Sequence, residues 1–563
     1  MKALSLTSSY HPRYRTLFLI YSKHSCAASW RSTRHDRDIF MKKSKIILAL
    51  TLTGSLLFSA CGSFQQNNLG RNDSKESEKV SETDTSAEME MSEEAENSDM
   101  VLAAVPKVRV EAVRLQRYTE DGEVLLAEIC QGNMILEGAG YEKAAQTVQR
   151  LFYHDMDDIE RELDSYAEMA QEHYEATKDE DGWFSNYFLQ TSYKVERLDN
   201  HVLSVKGYRY DYTGGAHGMG SEWGMTVDLK NGTELALTRL SQTPAGFMEK
   251  LTEIVLAELA GREDELYADY ELYVKENLEN TGWYLDAAGI QFVFNPYAIA
   301  PYASGIITVC VPYGEVASYL KEEYLASQGG YVMRVPLGRE VQDVDGTHSM
   351  LIEVRSTGKY SDETILRING EETLLGENVR VMQAFLMRRT NGKIFLVFDM
   401  DWASDDYETF VYELGENDAV QTDAVWAELD AGNISPEEMR LSFTLNVLGT
   451  YSSVMSYALS EDGVFAPLEN IYPITSISKW NELVTIRELP VIVGGQNKML
   501  SIGSSLYITG TDNAGIAWFE GTDRDSGQAV EGEIHYERRE DEYQLYIDGV
   551  SEYEYFASLP YAG

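Results

Sequence analysis

Cationic residues are few in this chain, and histidine is scarcer still. Among 563 residues, 47 are Lys or Arg against 92 Asp or Glu, and nine are His. Beyond residue 60 the balance is 37 basic to 90 acidic, a net charge of about −53. So acidic a chain repels nucleic acid and anionic wall polymers, which argues against both as partners, and it attracts cationic ligands. Solubility alone is the bland alternative. The histidines beyond residue 60 are His154, His173, His201, His217, His348 and His535, and no two stand at HExxH or HxxxH spacing, which speaks against a zinc hydrolase. No metal and no cofactor is expected. Proline is also scarce, at 12, while tyrosine reaches 36, a balance that suits β-rich modules better than a disordered stalk. Past residue 61 only two cysteines remain, Cys130 in LLAEIC and Cys310 in IITVCV. Neither has CxxC spacing, and both read as small buried hydrophobes rather than as a disulfide pair.

No apolar run reaches the roughly 18 residues that span a bilayer, yet a shorter one is informative. Met41 to Cys61, MKKSKIILALTLTGSLLFSAC, has a basic stretch (Lys42, Lys43, Lys45), an apolar stretch from Ile46 to Phe58, and Ser59-Ala60-Cys61. It resembles a bacterial lipoprotein signal, with cleavage before Cys61 and a lipid group, palmitate included, on its thiol. Phe58 departs from the usual Leu. The expected location is the extracellular face of the cell membrane, lipid-anchored. Residues 1–40 hold seven Arg or Lys and no helical or strand period, and are expected to precede the true start.

Residues 61–103 are rich in Ser, Glu and Asn and nearly lack aromatics, the composition of an acidic, disordered tether. The period-2 alternation of Lys107 to Leu115 and Val124 to Leu136 predicts strands. Tyr141 to about Lys178 predicts one or two amphipathic helices, and Phe188 to Leu198 with Val202 to Tyr212 a further strand pair. Asn231-Gly232 favours a type I′ turn between Met225 to Leu229 and Glu234 to Leu240. Helices are expected at Gly246 to Leu259 and Glu263 to Leu278, then strands at Ile290 to Phe294 and Gly305 to Val311. After residue 325 the helical signal nearly vanishes. The expected fold is multidomain: an α+β ligand-binding domain (104–325), an all-β middle domain, sandwich or partial propeller (326–480), and a small barrel (481–563).

Two motif blocks carry a resemblance. Tyr212-Thr213-Gly214-Gly215-Ala216-His217, with Asp228 to Gly232, and Phe294 to Gly305 with Val311-Pro312-Tyr313 resemble the exported domain shared by the anti-sigma factor RsiV and the non-catalytic part of the peptidoglycan deacetylase PdaC. The resemblance covers about residues 108–325. It implies a ligand-binding unit of the cell envelope, with Tyr212, Gly214, Gly215, His217, Tyr297 and Tyr302 as candidate ligand-binding residues. In RsiV the ligand is lysozyme, a basic protein, so a basic protein or a peptidoglycan fragment is the expected partner. A lipoprotein has no cytoplasmic segment with which to hold a sigma factor, and residues 326–563 lack the clustered Asp/His ligands of a deacetylase. Residues 482–563 resemble, more loosely, a bacterial SH3-like barrel.

His217 is the tempting catalytic residue, since Gly214 and Gly215 permit a tight loop around an imidazole. A hydrolase using the loop from Gly214 to His217 is therefore the rival to a binding protein, and a surface scaffold is a third reading. A general base needs an orienting partner, and the structural reading of His217 is preferred, so no enzyme is expected. Ser476 to Lys479 matches SxxK, but no KTG companion follows it. Asp399, Asp401, Asp405 and Asp406, like Asp343 and Asp345, read as solvated acidic turns and not as calcium loops.

Overall fold

The computed structural model describes residues 105–178, 184–325, 329–342, 349–358, 361–377, 379–402, 407–475, 479–539 and 542–562. The lipoprotein signal with Cys61 and the tether lie outside them, as do Asp343, Asp345, His348, Asp405, Asp406 and Ser476. No helix among the described residues is long and apolar enough to cross a membrane.

The described residues open with a long hairpin, β1 (Lys107–Tyr118) and β2 (Leu125–Glu137), paired antiparallel from Lys107↔Glu137 onward. The expected helical stretch divides into α1 (Glu142–Phe152) and α2 (Met156–Thr177). Asp155 makes the division: its Oδ1 accepts the Asp158 backbone N–H at 2.9 Å and so caps α2. Ile159, Leu163, Tyr166 and Ala170 recur on one buried face of α2, which packs on Leu126, Ile129, Tyr187 and Leu189. Then follow β3 (Tyr187–Leu198), β4 (Val202–Tyr212), β5 (Met219–Asp228) and β6 (Thr233–Glu234). The turn at Asn231-Gly232 is not type I′. Only Gly232 takes a positive φ (65°), and its N–H donates to Asp228 O at 2.8 Å, a five-residue turn.

Helices α3 (Pro244–Leu259) and α4 (Tyr270–Asn277) cover a three-stranded sheet of β7 (Gly282–Leu285), β8 (Gly289–Phe294) and β9 (Ile307–Pro312). The helix expected from Glu263 forms only from Tyr270. Tyr267 N donates to Ile299 O at 2.8 Å instead, which pulls the preceding residues onto the neighbouring loop.

Past residue 325 come β10 (Tyr331–Arg334), a four-stranded sheet of β11 (Val341–Gln342), β12 (Ser349–Gly358), β13 (Ser361–Ile368) and β14 (Glu371–Glu377), and then β15 (Arg380–Arg388), β16 (Ile394–Asp401), β17 (Tyr407–Leu414) and β18 (Ala419–Val425). A boundary at 325 is not a break in the fold. Strand β10 pairs with β3 (Val332↔Leu198, Met333↔Arg197) and with β15, so one sheet runs β18-β17-β16-β15-β10-β3-β4-β5-β6 through both expected domains. One continuous apolar core likewise reaches from Val108 and Leu136 through Phe395 and Met455 to Phe519 and Phe556. The expected SH3-like barrel is not confirmed, and the described C-terminal strands form no closed barrel. From Tyr472 to His535 they pair in an open order whose two edges do not meet, and Glu537 to Ser551 forms a separate small sheet.

The acidic-turn reading fails at Asp399. It lies inside β16 and is fully buried, accepting Gln383 Nε2 at 2.6 Å, Thr409 Oγ1 at 2.8 Å and Leu429 N at 3.1 Å. Burial pushes its carboxyl up to about 7 against the pull of these bonds. Cys310 is a free, buried thiol, so no bridge joins it to Cys130; the small-hydrophobe reading holds for Cys310 and not for Cys130, which is disulfide-bonded.

Candidate functional site

Strands β4 and β5 pair from Val202↔Asp228 to Asp211↔Met219, and their tip, Tyr212 to Gly218, carries the first motif block. Gly214 and Gly215 turn the chain with φ of 95° and 89°, values that residues with a Cβ rarely adopt. The Tyr212 hydroxyl donates to Gly215 O at 3.1 Å and ties the loop to its own strand.

The second motif block meets this tip. Asn295 clamps Glu222 on β5 in both directions, accepting its N–H at 2.8 Å and donating to its carbonyl at 2.8 Å. The Tyr302 hydroxyl donates to Gly218 O at 2.9 Å, and the His217 ring stacks on Tyr302 with centroids 4.4 Å apart and planes 16° from parallel. Tyr297 continues the aromatic row, 6.2 Å from Tyr302, with a positive φ of 72° and its side chain exposed. All six sequence-predicted residues thus gather around one loop; Tyr297 is its outlying member.

His217 Nδ1 lies 3.1 Å from Gly218 O, where it donates to a backbone carbonyl, and the ring is exposed. Among the described residues it has no serine or carboxylate partner. Nor do the described residues hold any group of three or more His, Cys, Asp or Glu side chains placed to bind a metal.

Beside His217 an open groove of about 580 Å³ runs between α2 and the β4–β5 tip, lined by Tyr166, Met169, Arg209, Asp211, Thr213, Gly214, His217, Gly218, Met219 and Ser221. Its polar groups are fixed from both sides. Tyr166 Oη donates to Asp211 Oδ2 at 2.6 Å, and burial together with that bond holds the phenol proton far above its ordinary range. Arg209 Nη2 donates to Glu162 Oε1 at 3.0 Å and stands 3.7 Å from Asp211 Oδ2. Burial works against the guanidinium charge, but bonding to Glu162 and the charges of Glu162 and Asp211 outweigh it, so its pKa rises.

Sequence reasoning missed Tyr166, Arg209 and Asp211. Tyr166 carries the helical spacing of a core residue, and it is one; only its hydroxyl reaches the groove. Arg209 and Asp211 stand two apart on β4, hence on one sheet face, a signal available from the strand assignment but not used.

Residues 135–220 match the family model of the deacetylase PdaC, and residues 243–314 match DUF3298, a protein family of unknown function. No curated protein matches. A solved DUF3298 family member from Bacteroides fragilis is 18% identical, over 39% of this chain and 96% of that one, with a TM-score of 0.31. Another, from Pseudomonas aeruginosa, is 15% identical, over 39% of this chain and 97% of that one, with a TM-score of 0.29. His217 falls in the first matched segment and Tyr302 in the second. Residues 135–220 and 243–314 are therefore a PdaC-like and a DUF3298-like segment, and they meet where Tyr302 packs on His217 and bonds Gly218.

Proposed function

We propose that this chain is a non-catalytic binding protein of the cell envelope, held at the extracellular face of the membrane by lipid on Cys61. Its ligand is a basic protein, such as lysozyme, or a cell-wall fragment. One observation carries the reading: the two motif blocks meet at His217, which lines an open groove and is committed to a backbone carbonyl and to the ring of Tyr302. That arrangement supports recognition, and among the described residues His217 has no serine or carboxylate partner. The charge of about −53 beyond residue 60 adds a long-range attraction for cationic partners, screened over about 8 Å at physiological salt.

The test titrates the full mature chain with lysozyme and with an unrelated basic protein of similar charge, at low and at physiological salt. Tighter binding of lysozyme that persists at physiological salt supports the basic-protein form of the reading. Equal binding of both proteins, vanishing with salt, reduces it to nonspecific attraction. Turnover of a wall-derived substrate by the purified chain would overturn the non-catalytic assignment.

A further inference from the structure

We propose that the groove between α2 and the β4–β5 tip binds a neutral amino-sugar glycan, a chain of N-acetylated hexosamines, with one sugar ring stacked on His217. This deepens the envelope-binding reading and rests on it.

The first argument is geometric. Tyr302 lies against one face of the His217 ring, while the ring itself is exposed and lines the groove. A flat, supported ring presented to a cleft is the surface on which the C–H face of a pyranose packs. It is held rigidly, because the Nδ1 bond to Gly218 O and the Tyr302 bond to the same carbonyl fix both rings. Little rotamer freedom is then lost on binding.

The second argument is the hydrogen-bonding inventory. Among the described residues Asp211 Oδ1, Thr213 Oγ1 and Ser221 Oγ make no hydrogen bond, although all three residues line the groove. Arg209 uses Nη2 towards Glu162 and keeps further N–H donors. Acceptors for sugar hydroxyls and a donor for an acetamide carbonyl therefore stand beside the stacking face. The volume of about 580 Å³ lies inside the roughly 300–1,000 Å³ of small-ligand clefts.

The third argument is charge, and it decides between ligand classes. The chain is strongly acidic, but the groove lining holds one Arg and one Asp, and Asp211 already accepts the Tyr166 hydrogen bond and lies beside the Arg209 charge. A cationic side chain entering here finds no unpaired carboxylate. An anion meets the field of the whole chain. A neutral polyhydroxyl ligand avoids both penalties.

The test titrates the full mature chain calorimetrically with the tetramer of N-acetylglucosamine, and in parallel with lysozyme. The tetramer is expected to bind. His217→Ala should weaken it about tenfold, the upper end of an aromatic contact. His217→Phe should restore most of the loss, because a flat ring returns without the imidazole nitrogens. Asp211→Asn should weaken binding several-fold, with a melting temperature near that of the wild type. Absence of tetramer binding while lysozyme still binds overturns the glycan and leaves the envelope reading standing. Absence of both overturns both. Tetramer binding indifferent to His217→Ala and Asp211→Asn places the glycan elsewhere and overturns the assignment of this groove.

Discussion

Gln383 Nε2 donates to Asp399 Oδ2 at 2.6 Å, and through this bond two neighbouring strands share a buried carboxyl. The contact is the centre of a polar row across the sheet. Glu196 on β3 pairs with Arg334 on β10 (3.3 Å), Arg334 donates to Gln383 Oε1 on β15 (3.1 Å), and Thr409 on β17 donates to Asp399 Oδ1 (2.8 Å). The row makes stability pH-dependent. Burial raises the Asp399 carboxyl to about 7 in the folded state, against an ordinary value near 3.8. Between those values the folded state holds a proton that the unfolded chain has released. The stabilisation is therefore full below about pH 4 and is lost as pH rises through 7. Asp286, raised to about 7 chiefly by burial, acts in the same direction. Chemical denaturation across pH 4 to 8 should show this loss at up to about 1.4 kcal/mol per pH unit per carboxyl. Asp399→Asn should remove its share of the slope. The new amide can donate to Thr409 Oγ1, which still has Ala427 O as its acceptor at 2.8 Å.

The Tyr302 bond to Gly218 O can be removed with little change of shape. Tyr302→Phe should lower stability by about 1 kcal/mol, as for an ordinary hydrogen bond, with the ring stack kept. Because His217 is exposed, His217→Ala should cost no more than about 1.5 kcal/mol, the worth of an aromatic pair. Thermal melts of the two variants check both values.

Gly224 on β5 faces Trp283 on β7, and a Cβ there would lie 2.1 Å from the Trp283 carbonyl oxygen. Backbone must move to admit a methyl group. Gly224→Ala should cost about 1–3 kcal/mol, whereas Gly314→Ala, with no atom within 4 Å of the added carbon, should be nearly silent. Denaturant midpoints of the two proteins provide the comparison.

Arg197 and Asp199 are both fully buried, paired at 2.8 Å, with Arg197 also donating to Tyr324 O at 2.8 Å and Tyr313 Oη at 3.1 Å. Removing one partner leaves the other charge buried without its ionic partner; Asp199 would keep only the backbone N–H groups of His201 and Val202. Arg197→Met should cost about 3–5 kcal/mol, and the double variant with Asp199→Asn less than the sum of the two singles. A double-mutant cycle by urea denaturation measures the difference.

Anchoring is tested by Cys61→Ser. The variant should leave the membrane fraction or persist as an uncleaved precursor, read by fractionation and mass. Mature, membrane-bound Cys61→Ser protein would end the lipoprotein proposal.

Local structure was legible where periodicity and caps reported it. Val202 to Tyr212 is a strand with the expected bounds, and the first predicted hairpin differs from the observed one by a few residues at its ends. The convergence of Tyr212 to His217 with Phe294 to Gly305 was legible only as two motifs; their contact depends on pairing between distant strands. Alternation tells that Tyr331–Arg334 is extended, but not that it joins β3 to β15. Asp399 misled for a related reason. Carboxylates are mostly exposed, and its burial is decided by Gln383, Thr409 and Leu429 from other strands and the segment beyond them. The open C-terminal sheet shows the same limit, since short alternating strands look alike whether or not their edges meet.

Strand β10 also bears on how such a protein can be divided. A fragment ending at residue 325 would contain every residue matched to a known family, yet it would bare the main chain of Arg197 and Leu198 where Met333 and Val332 now pair. An uncovered edge invites pairing with another copy. The stretch that sequences inherit as a recognisable unit is thus smaller than the stretch that folds as one. Transplanted alone, it would need a borrowed strand or a deliberately blunted edge to stay monomeric.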